Sequence, residues 1–232
     1  MSLAGRAAVA IWHDIVPEGR AEFYAWHGHQ HMPERVAIPG FLRGRRYMAI
    51  EGAPEFFNLY ELDSMRTLAG PDYLARLNAP TPWTVSTVRH FRDVARSLCE
   101  VAATAGDGEG GLVATFRYDI DADKAAAHRR RMSSHAIARL ASAPGIAGAH
   151  LLIADEAASA VETAEKKVRV EKNVIARWIV LIEGWGDADS FRTRCRALLT
   201  DGTFADAVEP PQLGVYALQN ARSRLSATSP PA

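Results

Sequence analysis

One order of elements occurs twice along this chain, on either side of a glycine-rich stretch, 105–111 (AGDGEGG). The apolar run Ala7–Ile15 predicts a strand, and Pro17–Met32 a helix. On that helix Phe23, Trp26 and Gln30 form one stripe, and Tyr24, His27 and His31 the next. Pro33 predicts an end or kink, because proline lacks the amide donor and crowds the preceding turn. Pro39-Gly40 predicts a turn, 41–50 and 56–62 two strands, 64–77 a helix bent at Gly70-Pro71, and 85–101 the closing strand. After the glycines the order returns: strand 112–120, helix 122–143, strands 146–154 and 174–183, helix 189–199 and strand 214–220. A shift of 105 places Asp14-Ile15 on Asp119-Ile120 and Pro39-Gly40 on Pro144-Gly145. Glu61 pairs with Glu183 at a shift of 122 instead, so the second half carries 17 more residues, within 155–173.

Strand-helix-strand-strand-helix-strand is the ferredoxin-like split βαβ arrangement. Each copy would lay two helices on one face of an antiparallel sheet and leave the other face bare. Two copies in one chain can cover each other. The expected fold is therefore α+β: two tandem ferredoxin-like units forming a pseudo-twofold dimeric α/β barrel within one chain. The expected domains are a first unit at 1–104, a linker at 105–111, a second unit at 112–220 and a disordered Ser/Thr/Pro-rich tail at 221–232. The excursion 155–173 mixes both charge signs and predicts an exposed arm.

Charge narrows the partners. Lys plus Arg equals Asp plus Glu, 27 each, which argues against nucleic acid and against a polybasic membrane anchor. No apolar run reaches the roughly 20 residues of a membrane helix. Cys99 and Cys195 stand far apart and in no metal or redox spacing, which fits a reducing, cytoplasmic setting. A small-molecule substrate is the expected partner, with a homodimer as the expected assembly if chains pair.

The chemistry concentrates in 27–47, HGHQHMPERVAIPGFLRGRRY, with His13 ending the strand before it. A histidine near its ordinary pKa serves as acid or base at neutral pH, and a carboxylate beside it can fix its tautomer. His31 with Glu34 is the local pair, and His27 a secondary member. Arg43, Arg45 and Tyr47 share one strand face by period two and could hold a substrate oxyanion. Trp12, Trp26, Phe23, Phe57 and Tyr60 could wall a pocket. His27 and His31, with His29, Glu34 or His13, could hold a metal, but the spacing matches no strict signature, and no metal or cofactor is expected. The competing reading is structural: histidine is favourable at helix ends, arginine guards strand edges, and aromatics at helical spacing fill cores.

His31-Met32-Pro33-Glu34-Arg35, followed by Ile38-Pro39-Gly40-Phe41 and Arg45-Arg46-Tyr47, resembles the EthD-like branch of the dimeric α/β-barrel superfamily. The resemblance covers about 40 residues closely and the element order of the whole chain loosely. It implies the barrel expected above, with His31 facing the pocket. The second copy departs from the pattern: Ala136 stands opposite His31, Arg139 opposite Glu34 and Gly148 opposite Arg43. The resulting expectation is a cofactor-independent acid/base enzyme of cyclase, dehydratase, isomerase or decarboxylase type, acting on a small aromatic or otherwise apolar acidic compound. The alternatives are a non-catalytic small-molecule-binding or stress-related protein, and a monooxygenase, haem or metal protein of the same superfamily.

Overall fold

A computed structural model describes residues 3–169 and 171–224. Eight strands form one closed antiparallel barrel: β1 (Ala7–Ile15), β2 (Phe41–Glu51), β3 (Phe56–Leu62), β4 (Phe91–Gly106), β5 (Leu112–Tyr118), β6 (Ile146–Ala154), β7 (Trp178–Gly184) and β8 (Gln212–Ser223). Around the barrel the order is β1-β3-β2-β8-β5-β7-β6-β4, with β4 paired back to β1. The first four strands thus form an arc β4-β1-β3-β2 and the last four an arc β8-β5-β7-β6, the same order in each. The arcs meet at the β2–β8 and β4–β6 ladders.

Strand alternation sorts side chains into two layers. Ala8, Ala10, Trp12, Tyr47, Phe57, Leu59, Ile179, Leu181 and Tyr216 fill the barrel interior. The alternate residues face outward beneath the helices, in clusters that include Val9, Met32 and Tyr60 on one side and Phe116, Met132 and Val180 on the other. Full burial of each large apolar side chain contributes about 1.5–3 kcal/mol.

The helices are α1 (Arg20–Trp26), α2 (Met32–Ala37), α3 (Met65–Ala69), α4 (Pro71–Asn78), α5 (Pro82–Val88), α6 (Ala122–Arg131), α7 (Ile137–Ala141), α8 (Glu156–Ala160), α9 (Ala164–Val168) and α10 (Ala188–Ala197). Of the end or kink expected at Pro33, the end does not occur. A π turn over His27–His31 joins α1 to α2, and the Met32 amide bonds the His27 carbonyl five residues back. The widened turn takes up the proline, which sits in the first turn of α2. Proline is not what makes the bulge: a second π turn, Met132–Ala136, joins α6 to α7 at the same offset of 105, with Ala138 where the first has Pro33.

Four other expectations change. Residues 85–88 are helical, because Thr81 caps α5 by accepting from the Thr84 amide and Pro82 opens the helix. The glycine stretch is shorter than expected, since β4 runs through Gly106. The proposed tail begins inside β8, where Ala221, Arg222 and Ser223 pair with β2; the rest of that expectation, 225–232, lies outside the described residues. The excursion 155–173 is also more ordered than an exposed arm. It builds α8 and α9, capped by Asp155 and Thr163, and buries Ser159, Thr163 and Glu165.

Candidate active site

Between the outer face of the β1-β3-β2 ladder and the helix layer, three histidines converge. His13 leaves β1 on the face opposite Trp12, and Asn58 and Tyr60 leave β3 on that same outer face. His27 and His31 descend from the π turn, ring centroids 5.6 Å apart. Gly44 makes the approach feasible: a Cβ there would lie 2.9 Å from the Tyr60 ring and 3.1 Å from Met32 Cγ.

Each ring has a defined bonding pattern. Asn58 Nδ2 donates to His13 Nε2 at 2.9 Å, which leaves His13 Nδ1–H to face the Asp14 carbonyl at 3.3 Å. Arg46 donates to His27 Nδ1 at 3.4 Å, so His27 Nε2–H donates to the Tyr60 hydroxyl oxygen at 3.1 Å. The Tyr60 proton is then free to point elsewhere. His31 lies against Trp26, centroids 4.2 Å apart, and its Nδ1 is buried without a partner. Asn58 Oδ1 is also buried and unpartnered. Phe91 and Phe56 stack on His13, and Phe23 meets it edge-on.

Burial sets the protonation. Desolvation holds His13 down at about 3, against the partial support of the Asp14 carbonyl. It also lowers His27 and His31 well below the usual histidine range, and the Arg46 and Arg35 charges push the same way. All three are therefore neutral at physiological pH. Burial raises the Tyr60 phenol, so it stays protonated.

The rings enclose a chamber of about 20 Å³, lined also by Ile11, Val88, Glu165 and Arg169. That is room for about one water. Its outer wall is the excursion. Arg35 on α2 pairs with Glu165 on α9 at 2.5 Å, both side chains 6% exposed, and Glu165 meets Arg169 at 3.5 Å. On the far side of Arg169 lies an open groove of about 540 Å³ lined by Ser159, Lys166 and Asn173 among others. An apolar groove of about 270 Å³ between α4 and α8 contains no histidine.

The structure does not gather all the expected site residues. His13, His27, His31 and Trp26 meet in the chamber. Arg43, Arg45, Tyr47 and Trp12 lie on the other sheet face, inside the barrel. There Arg43 forks onto Glu61 at 2.7 and 2.8 Å and also pairs with Glu109. Arg45 joins Glu61 at 2.9 Å and Glu183 at 2.7 Å. Burial alone would raise the Glu183 carboxyl, but bonds from His150 and Arg45 hold it down at about 2. The Tyr47 hydroxyl is buried without a partner. Trp12 stacks on Phe57 at 4.9 Å and donates to Thr115. Glu34 is half-buried on α2, and His31 Nδ1 receives no bond from it. Sequence reasoning missed Asn58, Arg46 and the excursion's Arg169. Asn58 and Arg46 were detectable by period two, as the outward positions of strands already assigned.

Among the described residues, the second arc fills the matching space with apolar side chains. At matching places in its π turn and third strand, Met132 replaces His27, Ala136 His31, Val180 Asn58 and Ile182 Tyr60, all packed in one apolar core. Among the described residues, no group of three His, Cys, Asp or Glu side chains is placed to hold a metal ion. In the chamber, His13 and His27 have both ring nitrogens in hydrogen-bonding contacts already.

No family model and no curated protein matches the sequence. Solved structures do. An anthrone oxidase-like protein aligns over 99% of both chains with TM-score 0.63 at 12% identity. A monooxygenase candidate from Lactobacillus acidophilus aligns over 94% of this chain and 97% of its own, TM-score 0.56 at 8% identity. A monooxygenase candidate from Fusobacterium nucleatum aligns over 96% of each, TM-score 0.56 at 7% identity. These are dimeric α/β-barrel proteins, and at such identities the likeness is one of fold.

Proposed function

We propose that this chain is a pseudo-dimeric barrel enzyme that moves a proton on a small, flat, acidic aromatic compound, with His31 as the base. The observation that carries the reading is a neutral histidine whose Nδ1 is buried without a partner, among aromatic rings and beside a hydrogen-bonded His27–Tyr60 pair. A base needs its lone pair free at working pH, and burial supplies that. As a carbon or phenolic acid gives its proton to His31 Nδ1, the imidazolium forms and the substrate carries the electron pair as an enolate or phenolate. The Tyr60 O–H and the Asn58 amide, both at the chamber wall, are the neutral polar groups nearest that charge. The equal strand order of the two arcs and their paired π turns support the tandem reading, in which the first unit gathers three histidines at the helix–sheet gap where the second has the Tyr118–His128 pair.

The anthrone oxidase-like and monooxygenase-like neighbours favour one second reading, oxygenation. An electron-rich anion of this kind is what dioxygen oxidises, so both readings share the proton-transfer step. The test is turnover on a panel of fused-ring phenols and ketones, anthrone included, read by loss of C–H proton signal in deuterated solvent and by oxygen uptake. We expect His31→Gln to cut exchange about 10²- to 10⁴-fold, the usual contribution of a positioned base. Undiminished exchange in that variant would refute the assignment. Exchange without oxygen uptake favours the lyase or isomerase reading over the oxygenase.

A further inference from the structure

At the chamber's outer wall buried arginines outnumber buried carboxylates, while Glu162, Glu171, Lys166 and Lys172 line the groove outside. Arg35, Arg96 and Arg169 are buried side chains. Glu165 is the buried carboxylate shared between Arg35 and Arg169. Arg96 donates instead to the Tyr73 hydroxyl. Arg169 is 5% exposed, and its Nε and Nη1 are buried without partners; so is Arg35 Nη1. A buried guanidinium with idle donors is costly unless an anion takes them up. Arg169 also stands between two spaces, lining both the histidine chamber and the 540 Å³ groove outside it.

We propose that Arg169, brought to the first unit by the excursion of the second, binds the anionic group of the aromatic ligand and forms the partition through which that ligand reaches His31. This rests on the reading of the chamber as a site for an acidic aromatic compound. Its idle Nε–H and Nη1–H lie on different edges of the guanidinium, so each offers one charge-assisted bond to a carboxylate or phenolate oxygen. The chamber as it stands holds one water, so a ring can enter only when the Arg169 side chain moves and joins the two spaces. The ligand's anion then occupies the donors that are idle in the closed state, and its ring lies toward Trp26 and His31.

Calorimetric titration at pH 7.5 with 2-hydroxybenzoate and with its neutral isostere 2-hydroxybenzamide tests this. The wild type should bind the carboxylate at least tenfold more tightly than the amide. Arg169→Met should abolish that preference while amide affinity changes less than threefold. Arg169→Lys should restore part of it. Equal affinity of the wild type for both probes, no heat with the carboxylate, or an unchanged preference in Arg169→Met overturns the proposal. The melting temperature of Arg169→Met should stay within a few degrees of wild type, which separates lost recognition from lost fold; a collapse of the fold in both Arg169 variants counts against a recognition role. His31→Gln should leave the preference intact. An intact preference with no turnover on any compound sinks the base assignment and leaves this one standing. His31-dependent turnover with no effect of Arg169→Met does the reverse.

Discussion

A histidine buried neutral stores acid sensitivity, and this chain buries three on one face of one sheet. The group worth following is His13, held at about 3 against an ordinary 6.5. Between those values the unfolded chain binds a proton that the folded chain refuses. Stability from this group is therefore full above about pH 6.5 and is lost as pH falls toward 3. The slope is about 1.4 kcal/mol per pH unit for each such histidine. His13→Gln should flatten the dependence of unfolding free energy on pH between 4 and 6 by about one proton, measured by urea melts at each pH. An unchanged slope would show that His13 titrates alike in both states. At this scale the sequence showed which residues were chemically able but not which side of the sheet they faced. Period two correctly put Arg43, Arg45 and Tyr47 on one face. It has no means of saying that this face is the barrel interior, where Glu61 and Glu183 claim the arginines.

Elements follow the same pattern of partial legibility. The strands were readable because apolar runs bounded by Pro-Gly and glycine turns leave few alternatives. The π turns were not, since a single widened turn carries no residue signature of its own. The excursion was read as an arm because its composition is polar and mixed in charge; its burial depends on a partner, Arg35, 130 residues away. That ion pair makes α9 a tested part of the account. Glu165→Gln leaves Arg35 buried without its counter-charge, and loss of one partner of a buried pair costs about 3–5 kcal/mol. Hydrogen exchange should then show the amides of α9 losing protection ahead of the barrel strands. Uniform loss across the chain would mean that α9 is not an independently opening segment.

Across the whole molecule, closure of the sheet is the controlling fact. Every described strand has two neighbours, so among the described residues the barrel presents no open sheet edge. Arg45 ties the arcs inside the barrel, bridging Glu61 of the first and Glu183 of the second, two residues that the sequence had matched only by position. Arg45→Met should cost several kcal/mol in denaturant melts, while adding Glu183→Gln should recover part of it, because one of the stranded charges is then gone. Strictly additive losses would show that the two residues do not act as a pair.

Burial keeps His31, the proposed base, neutral. Proton–deuterium exchange on a responsive fused-ring phenol or ketone, measured from pH 5 to pH 9 for wild type and His31→Gln, tests it in one series. Because the His31 pKa lies well below 6.5, the enzyme-catalysed rate should hold steady as pH falls through 6.5 and decline only in more acidic solution. It should be lost in the variant throughout. A wild-type rate that halves near pH 6.5, or a variant that keeps the wild-type rate, would contradict the claim.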